Sequence, residues 1–139
     1  MFRNNERIPE KYTCDGENIS PPLRFLDVPK NAKSLALIVE DPDSPSKVWV
    51  HWILWNLRPD IEKMDTDGIP DSDEGLNDFG RCGYKGPCPG SGVHRYQFKL
   101  YALDNILNLS SGSTKNEFEA AISGHVIDKA ILTGLYSRQ

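Results

Sequence analysis

No stretch of this chain is apolar for long enough to cross a bilayer, and no leader of secretory type opens it: Met1-Phe2-Arg3-Asn4-Asn5 is short and polar. Positive charge is not in excess either. Sixteen Lys and Arg face 20 Asp and Glu, for a net charge of −4. That balance argues against a general nucleic-acid binder, which needs a basic face for phosphates. From these absences we expect a cytoplasmic protein with no stable membrane insertion and no nucleic-acid partner. Cysteine is scarce, with only Cys14, Cys82 and Cys88. An odd count in a chain without a leader reads as free thiols. Cys82 and Cys88 lack the close spacing of a zinc knuckle. No metal and no cofactor is expected. Internal repeats, low-complexity tracts and long helical periodicity are also missing.

What is present is enough sequence for one domain, 1–139, with 38% apolar residues to build a core. Ten Pro and 11 Gly punctuate the chain, which favours an all-β fold with minor α content. Ser34-Leu35-Ala36-Leu37-Ile38-Val39-Glu40 is almost continuously apolar and ends at Asp41-Pro42, as a strand buried on both faces would. Val48 to Leu57 reads as a second strand, with Trp49, His51, Ile53 and Trp55 on one side and Val50, Trp52 and Leu54 on the other. The tryptophan spacing also admits a helix, but Pro45, Pro59 and the β-branched residues favour a strand. Tyr96, Phe98, Leu100 and Ala102 share a face of a third strand, which His94 joins if the strand is extended backwards. Ala130 to Tyr136 reads as a closing strand. Thr114-Lys115-Asn116-Glu117 is a capping box that opens a helix, with Phe118, Ala121 and Ile122 as its apolar stripe and Gly124 as a stop. The helix could also extend to Ile127. Arg58 to Gly92 is long, polar and acidic in its first part. It reads as a solvated loop without the spacing of a calcium-binding loop.

Two segments carry the chemistry. One is Asp41-Pro42-Asp43-Ser44-Pro45. The other runs from Gly83-Tyr84-Lys85-Gly86-Pro87-Cys88 through Pro89 and Gly90 to His94-Arg95-Tyr96. Val48-Trp49-Val50-His51-Trp52 lies between them. Singly, each residue has an ordinary explanation. An Asp before Pro closes turns, a strand histidine among tryptophans is a core residue, and Arg95 pairs with a surface acid. Together those explanations weaken, because Asp41 ends one strand, His51 lies in the next and His94 starts a third. Strand ends can bring all three to one rim. Three chemistries compete there. His51, His94 and loop N–H groups can bind an anion, with Asp41 orienting a histidine or meeting an amine. Asp41, Asp43, His51 and His94 can bind a hydrolytic metal. Cys88 can act as a nucleophile served by His94. The metal route lacks a signalled general base, and Cys88 shows no obvious activation beyond His94.

These segments give the chain a resemblance to the phosphatidylethanolamine-binding protein family, which includes the Raf kinase inhibitor protein, and more narrowly to its bacterial and archaeal branch. The resemblance rests on Ile8 through Gly16, Ser20-Pro21-Pro22-Leu23, Asp41 through Pro45, His51-Trp52, Asn77-Asp78-Phe79-Gly80, Gly83 through Tyr96, Gly124-His125-Val126 and Gly134-Leu135-Tyr136. It implies a β-sandwich-like fold with a large antiparallel sheet, a smaller sheet and one or two short helices. It implies a pocket at Asp41, His51, Gly86, His94 and Tyr96, lined by Trp49 and Pro45, and a cis peptide before Pro45. The implied function is non-enzymatic binding of a small anion, phosphate or phosphorylated head group. A protein-interaction module that inhibits a protease or kinase is the alternative, and a metal- or Cys/His-dependent hydrolase is the third reading. Homodimers are common in the bacterial branch. The chain departs from the family in several places. Gly90 replaces a second proline. The eukaryotic pocket tyrosine ahead of the tryptophan and the terminal covering helix have no counterparts. Members of the prokaryotic branch usually have a strand ahead of this start, and a chain truncated or naturally short there would leave a neighbouring sheet edge bare.

Overall fold

The computed structural model describes residues 2–68 and 71–138. Seven strands and one α-helix follow in order: β1 (Leu23–Arg24), β2 (Ser34–Asp41), β3 (Trp49–Leu57), β4 (Lys63–Met64), β5 (Asp73–Glu74), β6 (His94–Leu103), α1 (Lys115–Ile122) and β7 (Val126–Tyr136). A single turn of 3-10 helix covers Glu10–Tyr12. The large sheet has the order β5-β3-β2-β6-β7 and is antiparallel throughout, while β1 and β4 form a small antiparallel pair. This is the all-β arrangement of a large and a smaller sheet that the sequence predicts.

β2 is central and buried along its whole length, which is why its sequence shows no alternation. One face of the large sheet presents Leu35, Leu37, Val39, Trp52, Leu54, Tyr96 and Phe98, packed under the small sheet and the N-terminal segment. The other presents Ala36, Ile38, Val50, Ile53 and Trp55 to Phe118 and Ile122 of α1. Burying each such large side chain contributes roughly 1.5–3 kcal/mol. The helix is held at its start by the predicted capping box: Glu117 N–H donates to Thr114 Oγ1 at 3.3 Å and Thr114 N–H to Glu117 Oε1 at 3.0 Å. It ends at Ile122 rather than Ile127, and Gly124 follows with φ of 80°.

β3 does not keep the simple alternation that its sequence suggests. Its register against β2 slips between Val39/Trp52 and Glu40/Val50, so His51 is an extra residue in a bulge. Val50 therefore joins Ile53 and Trp55 on the helix side, and Trp49 and His51 do not share their face. A second irregularity falls at Asn56, which has φ of 57°. Its side chain exchanges hydrogen bonds with the Leu107 backbone at 2.9 and 2.8 Å.

The β7 edge is covered in part by the N-terminal segment. Asn5 N–H donates to Thr133 O at 2.6 Å, Leu135 N–H to Glu6 O at 2.9 Å, and Ile8 N–H to Leu135 O at 2.8 Å. Gly134 permits this approach, since a Cβ there would overlap Ile8 Cγ1. Farther along, Asp128 Oδ1 accepts from Lys129 N–H at 2.8 Å, which blunts the edge with a charge.

Candidate functional site

The bulge of β3, the end of β2 and the start of β6 meet at one rim of the large sheet. There they enclose a cavity of about 240 Å³ lined by Asp41, Pro45, Trp49, His51, His94 and Tyr96, with Ser44, Phe79, Cys88, Pro89 and Gly90 completing its wall. Asp41 is 4% exposed, His51 3% and His94 9%, so the polar groups are sheltered from bulk water.

Asp41 Oδ2 accepts from His94 Nδ1 at 2.6 Å. Its other oxygen, Oδ1, accepts from Asp43 N–H at 2.8 Å and closes the Asp41-Pro42-Asp43 corner. No cis peptide occurs among the described residues, which corrects the expectation of one before Pro45. Asp43 does not line the cavity and is engaged by Arg95, which donates to it from Nε and Nη2, both at 2.9 Å, and from its backbone N–H at 2.8 Å. Those side-chain hydrogen bonds hold the Asp43 carboxyl down at about 2 and push the Arg95 guanidinium up. Arg95 is thus spent on a surface acid.

His51 Nδ1 lies 2.6 Å from Lys85 O. A carbonyl can only accept, so Nδ1 carries a proton. The ring is wedged edge-on between Phe79 and Tyr96, at 5.3 Å from each. Burial lowers its pKa and outweighs the hydrogen bond and the nearby Asp41 and Asp78 charges that act the other way. The Tyr96 hydroxyl is pushed up by burial first and then by the charge of Asp41, so it stays protonated. His94 stacks on Tyr96 at 6.3 Å.

The structure thus brings together Asp41, Pro45, Trp49, His51, His94 and Tyr96 around the cavity, while Gly86 lies behind the lining with its backbone against His51. The Gly86 N–H donates to Asn18 Oδ1 at 2.7 Å and is not free for an anion. A Cβ at Gly86 would overlap Tyr12 O, so this glycine serves the close approach of two chain segments. Two groups escaped residue-level reading. Phe79, alone among polar neighbours in the long loop, forms one wall and meets Trp49 edge-on at 5.8 Å. The other is the thiol pair. Cys14 and Cys88 form a disulfide across 74 residues, so the expectation of three free thiols is wrong, and only Cys82 is free. Sequence spacing could not show this pairing. The neighbouring bonds show why it forms: Cys14 N–H to Pro87 O at 3.1 Å and Tyr84 hydroxyl to Tyr12 O at 2.7 Å already align the two segments.

The family model for phosphatidylethanolamine-binding proteins matches residues 1–137. The chain belongs to the phosphatidylethanolamine-binding protein family. Its relatives include a UPF0098 protein of Methanothermobacter thermautotrophicus, 54% identical over 99% of this chain and 95% of the relative. A UPF0098 protein of Pyrococcus abyssi is 49% identical, over 100% of this chain and 83% of that one. Among solved structures, a phosphatidylethanolamine-binding protein homologue from Chlamydia trachomatis superposes with a TM-score of 0.96 at 45% identity, covering 99% of this chain and 94% of that one. Escherichia coli YbcL, described as a member of the mammalian family, gives 0.91 at 30% identity, covering 99% and 94%.

Among the described residues no group of three or more His, Cys, Asp and Glu is placed to hold a metal. The Asp41 and Asp43 oxygens are already engaged by His94, Arg95 and backbone N–H groups. No described helix is long and apolar enough to cross a membrane.

Proposed function

We propose that this chain is a non-catalytic binder of a small anion, phosphate or a phosphorylated group, held in the Asp41–His94 cavity. The observation that carries the reading is the buried 2.6 Å contact between His94 Nδ1 and Asp41 Oδ2. It answers the charge of Asp41, which would otherwise repel an anion. With Nδ1 turned to Asp41, Nε2 is the ring nitrogen of His94 left for the cavity that the ring lines. The Tyr96 hydroxyl donates to Asp41 and helps to answer its charge, and Trp49 and Phe79 supply apolar walls. The volume suits a head group rather than a drug-sized ligand, for which pockets of about 300–1,000 Å³ are usual.

The hydrolase reading loses ground on chemistry. Cys88 has no thiol to attack with while it is bonded to Cys14. The carboxylates that would serve a metal are committed elsewhere. Inhibition of a protease or kinase gains no separate support from this geometry. A cytoplasmic location is part of the proposal, and the disulfide removes cysteine chemistry as its support. Disulfides mark oxidising compartments and also the cytosol of hyperthermophiles.

The test is calorimetry with phosphate and phosphoethanolamine on the native chain and on His94→Ala. Losing a charge-assisted hydrogen bond of about 1.5–3 kcal/mol should weaken binding by roughly one to two powers of ten. Equal affinities would place any bound anion outside this cavity.

A further inference from the structure

The Cys14–Cys88 bond is at the surface and in the wall of the cavity at once. Cys88 is exposed and Cys14 half-buried, so the bond is open to a thiol from solution. Cys88 also lines the cavity, together with Pro89 and Gly90. Exposed disulfides are as a class more labile than sheltered structural ones.

The bond divides the loop into a part that is held without it and a part that is not. Before it, Lys85 N–H donates to His51 O at 3.2 Å, Gly86 N–H to Asn18 Oδ1 at 2.7 Å, and Cys14 N–H to Pro87 O at 3.1 Å. After it the pattern stops. Among the described residues, no backbone–backbone hydrogen bond ties Pro89, Gly90, Ser91, Gly92 or Val93 to the rest of the chain. A Cβ at Gly90 or Gly92 would meet nothing within 4 Å, and Val93 is 62% exposed. The segment regains a fixed partner at His94, where β6 begins and pairs with β7. Between Pro87 and His94 the attachments are the sulfur bridge, the bond of Cys88 N–H to the Tyr96 hydroxyl, and the buried ring of Pro89.

Tyr96 joins this junction to the polar groups of the cavity. Its hydroxyl bonds to Asp41, and Asp41 accepts from His94. The Cys88 backbone therefore stands at the end of the chain of hydrogen bonds that orients His94. Cys82, the remaining thiol, is engaged elsewhere: its Sγ donates to Glu74 O at 3.8 Å, on the β5 edge of the large sheet.

We propose that Cys14–Cys88 is a thiol–disulfide exchange site for a soluble dithiol, and that its reduction unlatches the Cys88–Val93 wall and weakens the hold of the cavity on an anion. One thiolate of the dithiol attacks the exposed Cys88 sulfur. The Cys14–Cys88 bond breaks, Cys14 leaves as a thiolate and takes up a proton, and a mixed disulfide forms at Cys88. The second thiol of the reductant then attacks its own half of the mixed disulfide and releases Cys88, which takes up the other proton. Over both steps two electrons and two protons pass to the protein, and the reductant ends as a cyclic disulfide. The hydrogen bonds up to Pro87 persist, so the change is local and the fold is kept. The consequence for binding rests on the anion-site reading above; the latch itself does not.

The experiment uses the full chain carrying Cys82→Ser, oxidised and after dithiothreitol, so that alkylation counts only the bridged pair. NMR relaxation reads the wall without any ligand. On reduction the backbone order parameters of Cys88 and Gly90 should fall from the rigid range near about 0.85 to below about 0.6, with β2 and β6 unchanged. Calorimetry with inorganic phosphate should show affinity about fivefold or more weaker in the reduced chain. By linkage, phosphate should raise the dithiothreitol ratio needed for half-reduction by the same factor. Unchanged order parameters on reduction would overturn the latch. So would a loss of rigidity spread through β2 and β6, which would make the bond a bridge for the whole fold. Equal phosphate affinity in the two states would overturn its control of the cavity. Phosphate bound by neither state, with the wall loosened as expected, would sink the anion-site reading and leave the exchange site and its latch standing.

Discussion

His51 is held by one strong hydrogen bond to a backbone carbonyl and by two aromatic neighbours. Its lowered pKa ties stability to pH with a definite sign. Above the ordinary histidine value of about 6.5, the ring is neutral in folded and unfolded chains and contributes no pH dependence. As pH falls through that value the unfolded chain takes up the proton first. The folded chain resists it, so stability is lost from about pH 6.5 downward until the folded form also protonates. Urea midpoints for the native chain should therefore drop between pH 7.5 and 5.5, and His51→Gln should show a shallower drop. A variant with the same slope as the native chain would mean that His51 titrates normally in the fold. At this scale Asp41 and His94 were legible, because strand ends in sequence become neighbours at a sheet rim. The partner of His51 was not legible. It is a carbonyl 34 residues away in a loop without periodicity.

Among the elements, those with local signals were read closely. Ser34–Asp41 ends where Asp41-Pro42 breaks the apolar run, and His94–Leu103 keeps the alternation that puts His94, Tyr96 and Phe98 on one face. The bulges of β3 left no such mark, because an inserted residue changes register without changing composition. Their effect on the cavity is direct: the slip at Val50–His51 separates His51 from the face of Ile53 and Trp55 and lets it line the cavity. The helix gives a test of how separable the two faces of the sheet are. Removing the cap with Thr114→Ala should cost about 1 kcal/mol. The loss should appear as a lower urea midpoint at unchanged slope. Anion affinity should stay as in the native chain, since α1 packs on Ile38, Ile53 and Trp55 of the opposite face. Weakened binding in this variant would show that the helix face and the cavity share one cooperative unit.

The whole molecule is tied at the cavity by residues far apart in the chain. The loop that ends at Pro89 and Gly90 is anchored to the N-terminal segment by Gly86 N–H to Asn18 Oδ1, by the Tyr84 hydroxyl to Tyr12 O, and by the Cys14–Cys88 bond. A covalent link across 74 residues removes much of the freedom of the unfolded chain. The loop-entropy relation puts its effect at up to about 4.5 kcal/mol, and measured bridges commonly give about 2–4. Replacing both Cys14 and Cys88 by Ser should lower stability by an amount in that range, and reductant should lower the native chain to the same level. Thiol counting provides an independent check. Alkylation of the unfolded, unreduced protein should label Cys82 alone, and labelling after reduction should reach all three cysteines. Three labels without reduction would show that the bridge is absent. A single label with no loss of stability in the double variant would show that the hydrogen bonds at Tyr84 and Gly86 hold the cavity loop without it.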